Sequence, residues 1–356
     1  MTRPTKLPSL GFNRFSGLYL WAIFIITFAI WVPDLFLTTV TLHTVADSQA
    51  VAAMLGIAIA IPLAAGTFDL SVGAVVGFSA IVVTALQSNH GWGVWSSIAV
   101  AVGLSLVIGA LNGLVVVVFK VNSFIATLGS SSIVGAFIVI AAGESQPLPP
   151  VSETWNNLTQ VQFAGGFQII VLYLLVLALI VWWVLAKTPV GRYLYAIGGN
   201  PEAARLSGVN VGGWTWMSLI ASAGISGAAG VLYASQNGPS LTFGPALLLP
   251  AFSAAFLGST QFTPGRVNIW GTLLAVYVLA TGVKGLQLVT GVQWLPAMFN
   301  GVALIAAVAF AGWAARKTIR RERPESDAAH PNTLHPDPDD SLREREPSTT
   351  AAAKQP

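Results

Sequence analysis

Cysteine is absent from this 356-residue chain. No disulfide framework, thiolate metal site or thiol nucleophile is therefore available to it. Charge is scarce as well: Asp, Glu, Lys and Arg make up 9% of residues, against roughly 25% in a soluble domain. Only two histidines, His43 and His90, fall in the apolar body. They occupy separate loops, so no metal site is expected. No G-x-x-x-x-G-K-[ST] occurs, which excludes a P-loop ATPase motor within the chain. G-x-S-x-G is missing too, and no intramembrane aspartate pair stands ready for hydrolysis. Covalent catalysis is not what this sequence is equipped to perform.

What is present is apolar length. Hydrophobic residues make up 54% of the chain, in ten segments at 17–33, 47–65, 70–87, 93–118, 123–142, 167–186, 213–234, 245–259, 267–289 and 294–314. Several reach the roughly 20 residues needed to cross a bilayer. The expected fold class is all-α: a polytopic helical membrane protein of about ten transmembrane helices with interrupted spans. Pro62 and Gly66 interrupt the second segment, and Pro245 and Pro250 the eighth. Paired interrupted spans point to a transport pathway.

A cytoplasmic N-terminus places sixteen of the 17 Lys and Arg residues on one side, with Lys284 the exception. The predicted outer loops carry Asp34, His43, Asp47, His90, Glu144 and Glu153, and no Lys or Arg. That asymmetry sets both termini in the cytoplasm. It also accounts for a pI near 9.3 without any nucleic acid partner. Three regions follow: a cytoplasmic segment 1–16, a membrane body 17–314 and a charged tail 315–356. The tail holds eight basic and eight acidic residues and is expected to be disordered, its first part lying against anionic lipid. The outer loop 143–166 reads equally as a partner-facing surface or a solvated connection.

Four motifs stand out from the apolar background. In AAGTFDLSVGA, 64–74, Asp69 lies between two apolar runs. It is read either as the N-cap of the next helix, bonded to the N–H groups of Ser71 and Val72, or as part of an interrupted backbone at a pathway. In NGLVVVVFKVNSFIATLGSSS, 112–132, Asn112 and Gly113 interrupt a span and Lys120 marks a turn. Ser130 to Ser132 suit close helix packing. Residues 252–275 carry glycines, Pro264 and a single Arg266 at another turn. The pathway candidates are Phe68, Asp69, Ser71, Asn112, Phe124, Thr127, Lys284 and Gln287. Lys284 reads equally as a snorkelling lysine.

The fourth motif, KTPVGRYLYAIGGNPEAARLSGVNV at 187–211, is a polar island with the grammar of a short helix. Asn200 is a good N-cap and Pro201 falls at the first helical position, where its missing N–H costs nothing. Glu202 lies in the first turn and Arg205 toward the end, each matching the macrodipole, and Gly208 is placed to close the helix left-handed. Such care between membrane spans points to docking. The alternative is an amphipathic interfacial loop held by Tyr193, Tyr195 and the arginines.

Together these motifs resemble the ribose/monosaccharide-type permeases of bacterial ABC importers over roughly residues 17–314. GTFDLSVG is similar to that family's motif after the second span, with Thr67 in place of a glycine. Asn112, Gly113, Phe124, Ile125, Thr127, Leu128 and Gly129 match a second pattern. Thr188, Gly191, Arg192, Ala196, Gly198, Asn200, Ala203, Ala204 and Gly208 match the cytoplasmic signature. Leu257, Gly258, Gly265, Gly271, Thr272, Leu273 and Leu274 match a late one. Ser259, Thr260, Gln261 and Pro264 depart from a more glycine-rich segment, and Lys284 stands where many members carry Asn.

The resemblance implies a multi-pass subunit of the bacterial inner membrane, paired with a second permease copy. It also implies a cytoplasmic ABC ATPase and an extracytoplasmic sugar-binding protein, with membrane lipid as surroundings. ATP and Mg would be used by the ATPase, and this chain would bind no cofactor. Helix 201–207 would be the coupling helix, with Gly191, Arg192, Gly198, Asn200, Pro201, Glu202, Ala203, Ala204, Arg205 and Gly208 serving it. A branched-chain amino-acid-type ABC permease and an ion-coupled secondary transporter are the alternatives. The scarcity of intramembrane carboxylates argues against the second.

Overall fold

The computed structural model describes residues 16–143, 145–262, 266–292 and 294–322. Arg3, Lys6 and Arg14, Glu144, the Pro264–Gly265 pair and the tail beyond Glu322 lie outside these residues.

Among the described residues the chain is helical, with no strand beyond an isolated bridge between Gln162 and Gln168. The helices are α1 (Ser16–Trp31), α2 (Pro33–Phe36), α3 (Thr39–Ser48), α4 (Ala50–Ala64), α5 (Val72–Ser88), α6 (Val94–Val117), α7 (Ser123–Ala142) and α8 (Glu153–Gln160). They continue as α9 (Ile169–Lys187), α10 (Pro189–Gly199), α11 (Pro201–Leu206), α12 (Val211–Asn237), α13 (Phe243–Gly258), α14 (Ile269–Thr290) and α15 (Leu295–Glu322). Six stretches are long and apolar enough to cross a membrane: Thr39–Ala64, Val94–Val117, Ser123–Ala142, Ile169–Lys187, Val211–Asn237 and Ile269–Thr290. Four shorter apolar helices accompany them: Ser16–Trp31, Val72–Ser88, Phe243–Gly258 and Leu295–Ala306.

Side-chain burial sorts these helices. α4 and α5 are apolar all round and enclosed on nearly every face, as centrally placed helices must be. α12, α13 and α14 pack around them, whereas α7 and α9 keep broad apolar faces outward. Ser130 and Ser131 are half-buried and Ser132 exposed, so the serine run packs little within one chain. Lipid tails are as apolar as leucine, so close backbone approach must hold such helices together. The seam between α6 and α12 does this. A Cβ on Gly113 would enter the indole of Trp216, whose Nε1–H donates to the Ala110 carbonyl at 2.9 Å.

That seam corrects one expectation. Asn112 and Gly113 do not interrupt a span: α6 runs through them to Val117. Gly113 is there to admit Trp216, and Asn112 turns inward, as described below. α13 is likewise continuous, with Pro245 in its first turn and Pro250 inside. Membrane helices tolerate proline where neighbouring groups satisfy the freed carbonyls. The break after α4 is real. Helix stops at Ala64, Gly66 adopts φ +72°, and helix resumes only at Val72.

The outer connection is more ordered than either reading of it implied. Ser152 caps α8 by accepting from the Trp155 N–H, and Trp155 is 1% exposed. The Ser235 hydroxyl on α12 donates to the Trp155 carbonyl at 2.7 Å, binding the loop to a span. The described residues up to Ala314 form one compact unit, and α15 is helical as far as Glu322.

Candidate functional site

α11 forms as its sequence dictates. The Asn200 side chain accepts from the Ala203 N–H at 3.0 Å, Pro201 opens the helix, and Gly208 takes φ +83° just beyond it. The helix is Pro201–Leu206, one residue shorter than expected, because Ser207 has already left helical geometry. Arg205 Nη2 donates to Glu202 Oε2 at 2.8 Å, with both side chains largely in solvent. Ala204 faces inward, while Leu206 is 84% exposed. Sequence reasoning passed it over, although an apolar residue beside two charges was visible there.

α10 was not foreseen as a separate helix, although Thr188-Pro189 carries the pattern of an N-cap and a first-turn proline. Leu194 and Ile197 are buried on one face, and Arg192 and Tyr193 lie on the other. Gly191 lets α10 fold back against α9, since a Cβ there would collide with the Leu185 carbonyl. The Tyr195 hydroxyl donates to the Val267 carbonyl at 2.7 Å. The Arg266 guanidinium lies 3.7 Å from the centre of the Tyr195 ring. Burial pushes the Tyr195 phenol above its usual 10, and Arg266 opposes that shift. At the far end of α10, Gly198 meets the end of α4: a Cβ on Gly198 would run into the Ala64 carbonyl.

That contact leads to the second group of candidates, in the break at 65–71. Unpaired backbone N–H groups there would cost several kcal/mol in hydrocarbon. Side chains from α7 supply acceptors. Ser123 Oγ takes the Phe68 N–H at 3.1 Å, and Thr127 Oγ1 takes the Leu70 N–H at 3.0 Å. Asp69 Oδ1 accepts from both the Ser71 N–H (3.0 Å) and the Ser71 hydroxyl (2.6 Å). Asn112 Nδ2 then donates to Ser71 Oγ at 2.9 Å. Asp69 is therefore not the N-cap. Ser71 occupies that position, and Asp69 braces the turn before it. Asp69 Oδ2 and Ser222 Oγ are both enclosed without a hydrogen bond, although Ser222 lies against the carboxyl.

The pathway candidates thus divide. Asp69, Ser71 and Thr127 are fully buried and Asn112 is 3% exposed, and these four are joined to the break by hydrogen bonds. Phe68 is half-buried, with ring centres 6.3 Å from Phe256 and 6.4 Å from Phe124. Phe124 is 48% exposed. Lys284 is half-buried on α14, with Gln287 exposed one turn on. Ser123 is the member of this group that sequence reasoning missed. Its position at the start of α7 gave no sign of which backbone it would reach.

Residues 41–308 match the family described as branched-chain amino acid transport system / permease component. The chain belongs to that family. Known relatives that it resembles are import permeases. The fructose import permease protein FrcC of Rhizobium meliloti is 29% identical over 300 residues, covering 81% of this chain and 82% of that protein. The galactose/methyl galactoside import permease protein MglC of Haemophilus influenzae is 29% identical over 330 residues, covering 87% and 97%. The autoinducer 2 import system permease protein LsrC of Salmonella typhimurium is 28% identical over 293 residues, covering 81% and 83%. No solved structure matches.

Proposed function

We propose that this chain is the membrane-spanning subunit of an ATP-driven importer for a monosaccharide, built as a dimer of permease copies in a bacterial inner membrane. The single observation that carries the coupling part is the linkage of an exposed, fully capped α11 to the break at 65–71 through α10 and the Gly198–Ala64 contact. Fructose and galactose permeases among the relatives support a sugar as the solute. The autoinducer 2 permease marks how far substrates diverge at this level of identity.

Counting the four shorter apolar helices as spans gives ten crossings. Two of these, Ser16–Trp31 and Phe243–Gly258, have 16 residues each. At 1.5 Å per residue these reach about 24 Å, enough where the bilayer thins or flanking residues snorkel. Ten crossings keep α10, α11 and both termini on the cytoplasmic side.

The mechanism is mechanical. α11 seats in a groove of the ATPase, with Glu202, Arg205 and Leu206 as its contacts. When the ATPase closes on ATP, α11 and α10 move together, because Asn200 caps one at the end of the other. Gly198 transmits the displacement to the end of α4. The break at 65–71 allows α4 and α5 to shift against each other, biasing an inward-open and outward-open pair of states. Phe68, Phe124, Lys284 and Gln287 are the remaining candidates for contact with the solute.

The test is reconstitution of the permease with its ATPase and binding protein in liposomes, followed by uptake of a labelled sugar panel. Accumulation is expected to require ATP and to survive an ionophore. Uptake that persists without ATP and collapses with the ionophore would overturn the reading. Competition by leucine rather than by any sugar would redirect it to an amino acid.

A further inference from the structure

We infer that the cavity beside Arg266 is a binding site for one anionic phospholipid. The cavity measures about 600 Å³ and lies between the end of α9, α10 and the start of α14. That is within the range of roughly 300–1,000 Å³ typical of small-molecule sites. Its walls are apolar and aromatic, including Trp182, Leu185, Tyr195, Val267 and Trp270, and Arg266 is the one charged residue among those that line it.

Three observations select the ligand. Trp182 and Trp270, with ring centres 6.3 Å apart, sit where apolar helices end, the level at which tryptophan marks the headgroup region of a bilayer. The apolar walls below suit acyl chain. Arg266 is held in place by the Tyr195 ring at 3.7 Å, and among the described residues the only ion pair is Arg205–Glu202. A positioned guanidinium with no carboxylate partner is matched to a phosphate, which it can engage with two parallel N–H groups. The positive end of the α14 macrodipole, at Ile269, adds to its field.

The occupant would bridge α10 to the connection between α13 and α14, beside the Tyr195–Val267 hydrogen bond. It would therefore steady the arm that carries α11. The inference requires only that the chain lies in a membrane, so it stands or falls separately from the importer reading.

The test is native mass spectrometry of the purified full chain in detergent supplemented with equal phosphatidylglycerol and phosphatidylethanolamine. The wild-type chain is expected to retain phosphatidylglycerol preferentially. Arg266→Gln is expected to lose most of that preference, because the planar fork that engages phosphate with two N–H groups is removed. Lys120→Gln, which removes an exposed cation in the connection between α6 and α7, is expected to leave the preference intact. Arg266→Lys keeps the charge without the planar fork and should retain part of it, so a folding defect in one variant does not decide the matter. Equal retention of both lipids by the wild type, no retention of either, or an unchanged preference in Arg266→Gln would each overturn the proposal.

Discussion

Gly198, closing α10, lies directly against the carbonyl of Ala64, the last helical residue before the break. Neighbouring Gly199 meets nothing within 4 Å. Two adjacent glycines therefore have opposite roles. Gly198→Ala is expected to push α10 away from α4 and to cut transport-coupled ATP hydrolysis about tenfold or more. Gly199→Ala should remain close to wild type. Equal activity in both variants, measured in proteoliposomes, would remove this contact from the coupling route.

Glu202 and Arg205 form an exposed pair, and such pairs contribute only about 0–1 kcal/mol to stability. Glu202→Lys or Arg205→Glu should therefore leave membrane insertion and thermal unfolding unchanged while uncoupling sugar uptake from ATP hydrolysis. Leu206→Ser should act the same way through lost burial against the ATPase. Pull-down of the ATPase by each variant, beside its unfolding midpoint, separates docking from folding.

At Asp69 the prediction turns on shape and hydrogen bonding rather than charge. Asparagine keeps an acceptor for Ser71 and offers an N–H to Ser222 Oγ, which lies against this side chain. Asp69→Asn should retain most transport. Asp69→Leu strands the Ser71 N–H and hydroxyl in the core, at about 1–3 kcal/mol each, and should lower both expression and unfolding temperature. A folded but inactive Asp69→Asn would instead assign the carboxylate a direct part in the transport cycle.

The α6–α12 seam makes a prediction independent of function. Gly113→Leu must displace Trp216 and its bond to Ala110, an overpacking that typically costs 1–3 kcal/mol. A lower unfolding midpoint in detergent is expected.

Tyr195 carries a pH dependence. Burial raises its phenol above 10, so the fold favours the neutral form. The resulting stabilisation is full below pH 10 and is lost as pH rises through the folded value. Tyr195→Phe removes the hydrogen bond to Val267, worth about 1 kcal/mol. It should also flatten the alkaline limb of an unfolding-versus-pH curve.

Much of this molecule is legible from residue order alone. Apolar length, basic asymmetry and the Asn200-Pro201-Glu202…Gly208 grammar are local properties, and local sterics and hydrogen bonding act on them within a few residues. α11 formed where those rules place it. Where sequence reading erred, the deciding contact was distant. Asn112-Gly113 resembles a helix breaker until Trp216, a hundred residues on, fills the notch that Gly113 leaves. The loop around Trp155 reads equally as a partner-facing surface or a solvated connection, and neither reading contains its bond to Ser235.

Sequence by itself determined that the chain is helical, apolar and supplied with a capped polar helix, because helix propensity, capping and hydropathy depend on near neighbours. Only the tertiary structure decided that Asp69 braces a turn, that Ser123 and Thr127 satisfy the broken backbone, and that Gly198 touches Ala64. The reason is geometric. In an apolar surrounding every exposed N–H must find a partner, and which partner it finds depends on how the helices stack, not on what stands beside it in the chain.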